Sequence, residues 1–360
     1  MSFKNKDSSK EYIWGKRKNR KWIYIIVAIV VVVGAALGYI VFGLNLNDSS
    51  DSLFTTKTKS SQGLERRAID GVYVPADQAN IYPVAVMIEN LVSSRPPSGL
   101  SKANLVYEAL AEGGITRFMA VYAGQFVTMP EIGPVRSARS YYIDWALEYN
   151  ALYTHVGGSP QAFADIREYS VFDLNQFYSS QYFWRDSERL APHNLYTSGE
   201  KLAFALRDLE ADETSDFDSW KFKDEVDVSD RPAEDKSIDI KFSSFNYDVG
   251  YKYNKEKNDY LRYQAGEIHI DKDESEIRAK NVAVQKVKTY LIDDNRLGMD
   301  TVGEGESIVF RDGLAITGHW EKESKTSRTI FYDDDGDEIE FNAGTTWVEV
   351  IPTDRDVEYN

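Results

Sequence analysis

Trp22 to Leu44, WIYIIVAIVVVVGAALGYIVFGL, runs for 23 residues without a charged side chain. About 20 apolar residues suffice for a helix to cross the hydrocarbon core of a bilayer, and a helix packed in a soluble core keeps a polar face that this run lacks. The run therefore predicts a single transmembrane helix. KRKNRK, Lys16 to Lys21, precedes it and NLNDSSD, Asn45 to Asp51, follows it, so the basic excess predicts a cytoplasmic amino terminus with the bulk of the protein outside the cell membrane. A cleaved leader has a shorter apolar region closed by small residues, and no Ala-x-Ala pattern closes this one, so it reads as a permanent anchor.

The chain has no cysteine, which excludes a disulfide framework and a lipid-bearing cysteine and leaves the exterior domains to stand on packing alone. Residues 1–21 carry eight Lys or Arg against two acids, while the whole chain has a net charge of −16. The exterior part is therefore strongly acidic. A field of that sign disfavours nucleic acid, whose affinity for proteins comes largely from neutralised phosphates. Any anion bound there needs a local basic pocket.

The texture of the sequence divides it into a basic tail (1–21), the apolar span (22–44), a Ser/Thr-rich flexible stalk (45–68), a first domain (69–209), an acidic linker (210–237), a β domain (238–353) and a short tail (354–360). In the first domain, YPVAVMIEN and RFMAVYAG read as buried strands, while ANLVYEALAEGG fits a strand or a short helix. ARSYYIDWALEYNAL places Tyr141, Trp145, Tyr149 and Leu152 at helical spacing. ALYTHVGG returns as a strand, and helices open at Ser159-Pro160 and at Ser198. Strands alternating with helices predict an α/β or α+β domain. Beyond residue 238 the pattern alternates, with Asp312-Gly313 and Asp335-Gly336 as hairpin turns, so the second domain is expected to be a small antiparallel all-β sheet or barrel. Trp220 and Phe222 are candidates to dock the linker on a neighbour.

Two stretches combine turn residues with a helix start. In IGPVRSARSYYIDWALE, Ser137 is a candidate N-cap, and Arg136 and Arg139 sit three apart at an electropositive helix terminus. In HVGGSPQAF, Gly157 and Gly158 allow close approach to the backbone and Ser159 caps the next helix. Arg117 follows Gly113-Gly114 at the head of a strand and is a third cation for the same place. Guanidinium forks suit phosphate or carboxylate oxygens, so Arg117, Arg136, Ser137, Arg139, Gly157, Gly158 and Ser159 form the candidate ligand site. Ion pairs with the chain's many acids are the plainer use of each arginine taken alone.

Glu108, flanked by apolar residues in LVYEAL, is a candidate general acid, since burial raises a carboxyl pKa. Asp144 and Glu148 share a helix face and could act as acid and base or hold a divalent ion, a solvated face being the plainer reading. His155, before the glycine pair, is the histidine placed for catalysis, with a core or capping role the plainer one. No metal site is expected: the histidines are scattered, and FYDDDGDEIEFN puts Phe331 and Asn342 at the first and last positions of a calcium loop. No cofactor motif occurs, and GGSPQ lacks the final glycine of a nucleophile elbow.

IENLVSSRPPSGLSKANLVYEALAEGGITRFMAVYAG, IGPVRSARSYYIDWALEYNALYTHVGGSPQAF and DDDGDEIEFNAGTTWVEVIP resemble the YerB-like family of bacterial envelope proteins, a domain of unknown function. The resemblance covers nearly all of the exterior part and implies an amino-terminal domain with TRF, GPVRSAR and GGSPQA and a β domain with KNVAVQ, GHW and TTWVEV. Family members are often lipoproteins, and this chain departs from them in lacking the lipid-bearing cysteine. The order of strand, arginine-bearing turn and helix is also loosely similar to the LytR-CpsA-Psr wall-polymer ligases, a likeness at the level of fold that assigns no reaction. Three functions follow as expectations: a binder of an anionic or glycan cell-wall component, polymer or lipid-linked precursor; an enzyme acting on peptidoglycan or a lipid-linked wall polymer; or a scaffold for wall-synthesis proteins.

Overall fold

Three largely apolar runs become the centre of the molecule. β1 (Val84–Glu89), β2 (Leu105–Leu110) and β3 (Thr116–Tyr122) are buried at every residue, the pattern of strands covered on both faces. The computed structural model describes residues 63–360 apart from 125, 213, 233, 234 and 295.

Helix α1 (Ser140–Leu147) covers one face, with the Trp145 ring stacked on Tyr107 at 5.1 Å. It is shorter than the aromatic spacing over 138–152 suggested. β4 (Leu152–His155), α2 (Pro160–Glu168) and β5 (Asp173–Asn175) form a βαβ unit, because β4 and β5 pair in parallel and β4 pairs in parallel with β1. Ser159 caps α2 through its Oγ, which accepts from the Ala162 N–H at 3.1 Å, and Ser198 caps α3 (Gly199–Asp208) in the same way.

The second half of the chain builds β6 (Ser237–Lys241), β7 (Asp248–Asn254) and β8 (Asp259–Gln264), then β9 (Asn281–Val287), β10 (Gly303–Arg311), β11 (Leu314–Lys322), β12 (Ile330–Asp333), β13 (Thr346–Pro352) and β14 (Val357–Tyr359). Asp312 and Gly313, with φ of 53° and 73°, make the tight turn between β10 and β11. The strand order of the large sheet is β12-β11-β10-β9-β13-β2-β3-β1-β4-β5.

This order corrects the expectation of a purely antiparallel sheet in the second domain. β13 pairs in parallel with β9 on one side and with β2 on the other, so strands from both halves of the chain share one ten-stranded sheet. The reason is physical: all seven residues of β13 are buried, and a strand apolar on both faces belongs in the middle of a sheet. The smaller antiparallel sheet, with β8, β7, β6 and β14 in that order, lies over the face opposite α1. Alternation along β2 makes this possible, since Tyr107 points to α1 and Glu108 to Arg262 on β8.

The result is a mostly β, two-domain fold with three α-helices among the described residues. An α/β description fits only the β4-α2-β5 region. The acidic segment is tied down by Trp220, which is 4% exposed, stacks on Phe341 with ring centroids 4.4 Å apart and donates from Nε1 to the Thr329 carbonyl at 2.7 Å.

Candidate functional site

The GPVRSAR stretch is not a helix start. Val135 N–H donates to the Leu195 carbonyl at 2.6 Å, Arg136 N–H to Met87 at 2.8 Å and Ala138 N–H to Gly157 at 3.0 Å. The segment is an extended ribbon laid between β1 and the glycine turn. Helix α1 begins at Ser140, with Arg139 at the cap position and no side-chain cap. Ser137 as N-cap is therefore corrected: the backbone amides around it are already committed to strand-like partners, and its carbonyl accepts from Arg117 Nη1 at 3.1 Å.

The ribbon brings both stretches together. Val156 N–H donates to the Arg136 carbonyl and Ser159 N–H to the Ala138 carbonyl. Gly157 takes φ of +62°, a conformation that a side chain rarely adopts, and its N–H donates to Asn175 Oδ1 at 3.1 Å.

The three arginines meet different fates. Arg139 forks onto Glu112, contacting Oε1 through Nε and Oε2 through Nη2 at 2.6 Å. Arg117 is 6% exposed and lies 3.7 Å from the same Glu112 carboxylate. Burial pulls the Arg117 pKa down, reinforced by the neighbouring Arg139 charge. Burial opposes the Arg139 charge too, but the hydrogen bond and charge of Glu112 outweigh it and raise the pKa. For Glu112, burial works against ionisation, and the two arginines overcome it and lower the pKa. These two cations are internal ion-pair partners, as their surroundings of acids made plain.

Arg136 differs. Its Nε contacts Glu89, a buried carboxylate that also holds His193 Nδ1 at 2.9 Å. No other hydrogen bond or ion pair engages the Arg136 side chain among the described residues, which leaves both terminal nitrogens of its fork available. Arg136, Ser137, Val156, Gly157, Gly158, Phe177, Arg185 and Pro192 line a pocket of about 320 Å³. Arg185 donates from Nη1 to Asn194 Oδ1 at 2.8 Å and has no carboxylate partner among the described residues. The pocket lining carries Arg136 and Arg185 and no carboxylate, while Glu89, Glu112 and Asp173 lie behind it. Arg139 and Ser159 open instead on a separate hollow of about 70 Å³ beside Tyr290 and Met299.

The sequence reading missed Arg185, Phe177 and Glu89. Phe177 had a signal: in NQFYSS two aromatic residues stand between polar ones at the end of a strand. Arg185 and Glu89 had none, because long-range pairing places them.

The proposed catalytic residues are sealed. Glu108 is fully buried, with Oε2 on Arg262 Nη2 and Oε1 accepting from Thr116 Oγ1 and, at 3.2 Å, Asn90 Nδ2. Asp144 is 4% exposed, accepts from Thr301 Oγ1 at 2.6 Å and lies 3.0 Å from Lys325 Nζ, and burial raises its pKa. Glu148 is paired with Lys322 at 2.8 Å and Arg328 at 2.7 Å. The solvated face expected for Asp144 and Glu148 is corrected: the β11–β12 connection covers it and supplies the cations. His155 is fully buried between the Gly157 carbonyl and Asp173, where it braces the glycine turn.

Comparison with known proteins identifies the chain. Residues 71–212 match the amino-terminal domain, and residues 238–348 the carboxyl-terminal domain, of a protein family of unknown function, DUF3048. "Putative lipoprotein YerB" of Bacillus subtilis (strain 168) is 32% identical over 283 residues, covering 75% of this chain and 81% of the relative. The chain belongs to the YerB-like DUF3048 family. A crystal structure of the YerB protein from Bacillus subtilis superposes with a TM-score of 0.72 at 28% identity, covering 82% of this chain and 99% of the other. The YerB-like fold is therefore the two-domain, mostly β arrangement described above.

The same comparison corrects the single-pass transmembrane reading and the location drawn from it, with a cytoplasmic amino terminus. The YerB relative carries the name of a lipoprotein, and no helix among the described residues is long and apolar enough to cross a membrane. Residues 1–62, including Trp22 to Leu44 and the basic tail, lie outside the described residues. An uncharged run near an amino terminus is common to spans and to the apolar part of leader segments, so its length did not fix the mode of attachment.

Proposed function

We propose that this YerB-like protein is a binding protein of the cell envelope that captures an anionic wall component, a polymer or lipid-linked precursor bearing phosphate or carboxylate groups. The ligand sits on Arg136 and Arg185 beside the Gly157-Gly158-Ser159 turn. The observation that carries this reading is the pair of terminal Arg136 nitrogens, engaged by no described residue, lining a pocket that holds a second arginine and no carboxylate. Planar forks recognise phosphate and carboxylate oxygens two at a time. The lipoprotein name of the relative supports a place at the envelope.

Arg117 and Arg139 act behind the pocket. They and Glu112 hold the extended ribbon in register, so that Arg136 is presented rather than left mobile. His155 and Asn175 do the same for the glycine turn. Cosedimentation of the full chain with purified wall sacculi tests the proposal. Wild type is expected to pellet with sacculi that carry anionic polymer and to be released by added phosphate, while Arg185→Ala and Arg136→Ala stay in solution. Equal pelleting of wild type and both variants refutes it.

A further inference from the structure

We propose that the ligand of this pocket is an acidic sugar, with its phosphate or carboxylate on the Arg136 and Arg185 forks and its ring laid on the exposed face of Phe177. The inference rests on the anion-binding reading above and narrows it to a ligand class.

Scattered exposed apolar side chains need no explanation, but Phe177 is neither scattered nor loose. It is 65% exposed while lining the same 320 Å³ pocket as the two arginines, and Tyr178 beside it is 85% exposed. Its ring packs on the bare Cα of Gly157: a Cβ there would stand 2.9 Å from the Phe177 ring edge. The Phe177 N–H donates to Asn175 Oδ1 at 3.2 Å, the oxygen that also accepts the Gly157 N–H. One asparagine therefore fixes both the glycine turn and the aromatic platform. Packing on Gly157 restricts the ring before any ligand arrives, which lowers the entropy lost on binding.

The chemistry that fits is a flat, CH-rich face carrying hydroxyls, adjoined to a compact anion. A pyranose acid or sugar phosphate has both. An aromatic side chain offers such a ring a large rigid contact area at low conformational cost. Size argues in the same direction, because about 320 Å³ lies at the small end of the range for ligand pockets and suits one ring with its acid better than a dinucleotide.

Titration calorimetry on the full chain tests this with five probes: glucose 6-phosphate, glucuronate, inorganic phosphate, acetate and adenosine monophosphate. The expected result is that each sugar acid binds at least about tenfold more tightly than the matching ringless anion. Phe177→Ala, an exposed position, is expected to abolish that advantage, so that each sugar acid and its matching ringless anion bind the variant with equal affinity. If phosphate binds and weakens with Arg185→Ala while the sugar ring adds nothing, the sugar inference is overturned and the anion reading stands. If phosphate binding is absent or indifferent to Arg136→Ala and Arg185→Ala, both fall. Adenosine monophosphate binding more tightly than glucose 6-phosphate in wild type, and losing that margin in Phe177→Ala, would place a nucleobase on the ring and also overturn the sugar class.

Discussion

Glu349→Gln isolates the electrostatics that join the two family domains. Glu349 on β13 and Glu108 on β2 are register neighbours in the shared sheet, both fully buried, and Arg262 from the smaller sheet reaches both. Arg262 Nη2 is bonded to Glu108, whereas its Nε lies 3.6 Å from Glu349, which receives Tyr251 Oη at the same oxygen. The remaining Glu349 oxygen, Oε2, is buried without a partner. His269 adds no charge, since burial and the Arg262 guanidinium push its pKa well down. Burial first, and the Glu108 charge second, raise Glu349 from 4.5 to about 8. Glu349 thus keeps its proton to a pH well above the ordinary carboxylate range.

A raised folded-state pKa means that the folded state holds a proton that the unfolded chain releases above pH 4.5. The stabilisation is complete below that pH and is lost as pH rises towards about 8. Each tenfold change in proton affinity corresponds to about 1.4 kcal/mol, so unfolding free energy falls by up to about 1.4 kcal/mol per pH unit across this window, a few kcal/mol in total. Glutamine keeps the shape, cannot ionise and places an amide against Glu108. Urea denaturation of wild type and Glu349→Gln from pH 4.5 to 8.5 reads the difference. Glu349→Gln is expected to be less pH-dependent and to overtake wild type in stability towards pH 8. Parallel pH profiles for the two proteins refute the reasoning.

Two other outcomes follow from the packing. Gly199→Ala drives a Cβ into the Phe126 carbonyl; because backbone cannot yield as a side-chain tip does, thermal denaturation should show a loss of about 2 kcal/mol or more, and an unchanged melting temperature would contradict the approach. Trp220→Ala removes the stack on Phe341, the bond to Thr329 and the surface under the Arg328 guanidinium, 3.7 Å from the ring, and should cost about 3–5 kcal/mol in chemical denaturation, whereas a loss below about 1 kcal/mol would mean the acidic segment is not anchored there.

Most strands and two of the three expected helix starts were legible because local chemistry decides them. Ser159-Pro160 and Ser198 cap their helices, Asp312-Gly313 turns its hairpin, and the buried runs over 84–89 and 116–122 are strands. Sheet partnership was not legible. The β-rich run over 346–352 marks a strand, but nothing in it says that β13 pairs with β2 from the other half of the chain. The site was half legible for the same reason. The two loops do meet through Ala138 and Gly157, yet whether an arginine faces a ligand or a carboxylate depends on where Glu89 and Glu112 arrive. Glu89 comes from β1, and Glu112 from the turn after β2. Periodicity on Asp144 and Glu148 identified a helix face and could not reveal that Lys322, Lys325 and Arg328 would cover it.

The central claim is that Arg136, held through Nε by Glu89, presents its two terminal nitrogens to an anion. Calorimetric titration of the full chain with inorganic phosphate at two salt concentrations measures this directly. The account predicts saturable binding that weakens with added salt and falls at least about tenfold in both Arg136→Ala and Arg185→Ala. Binding unaffected by either substitution, or no binding at all to folded wild type, would contradict it.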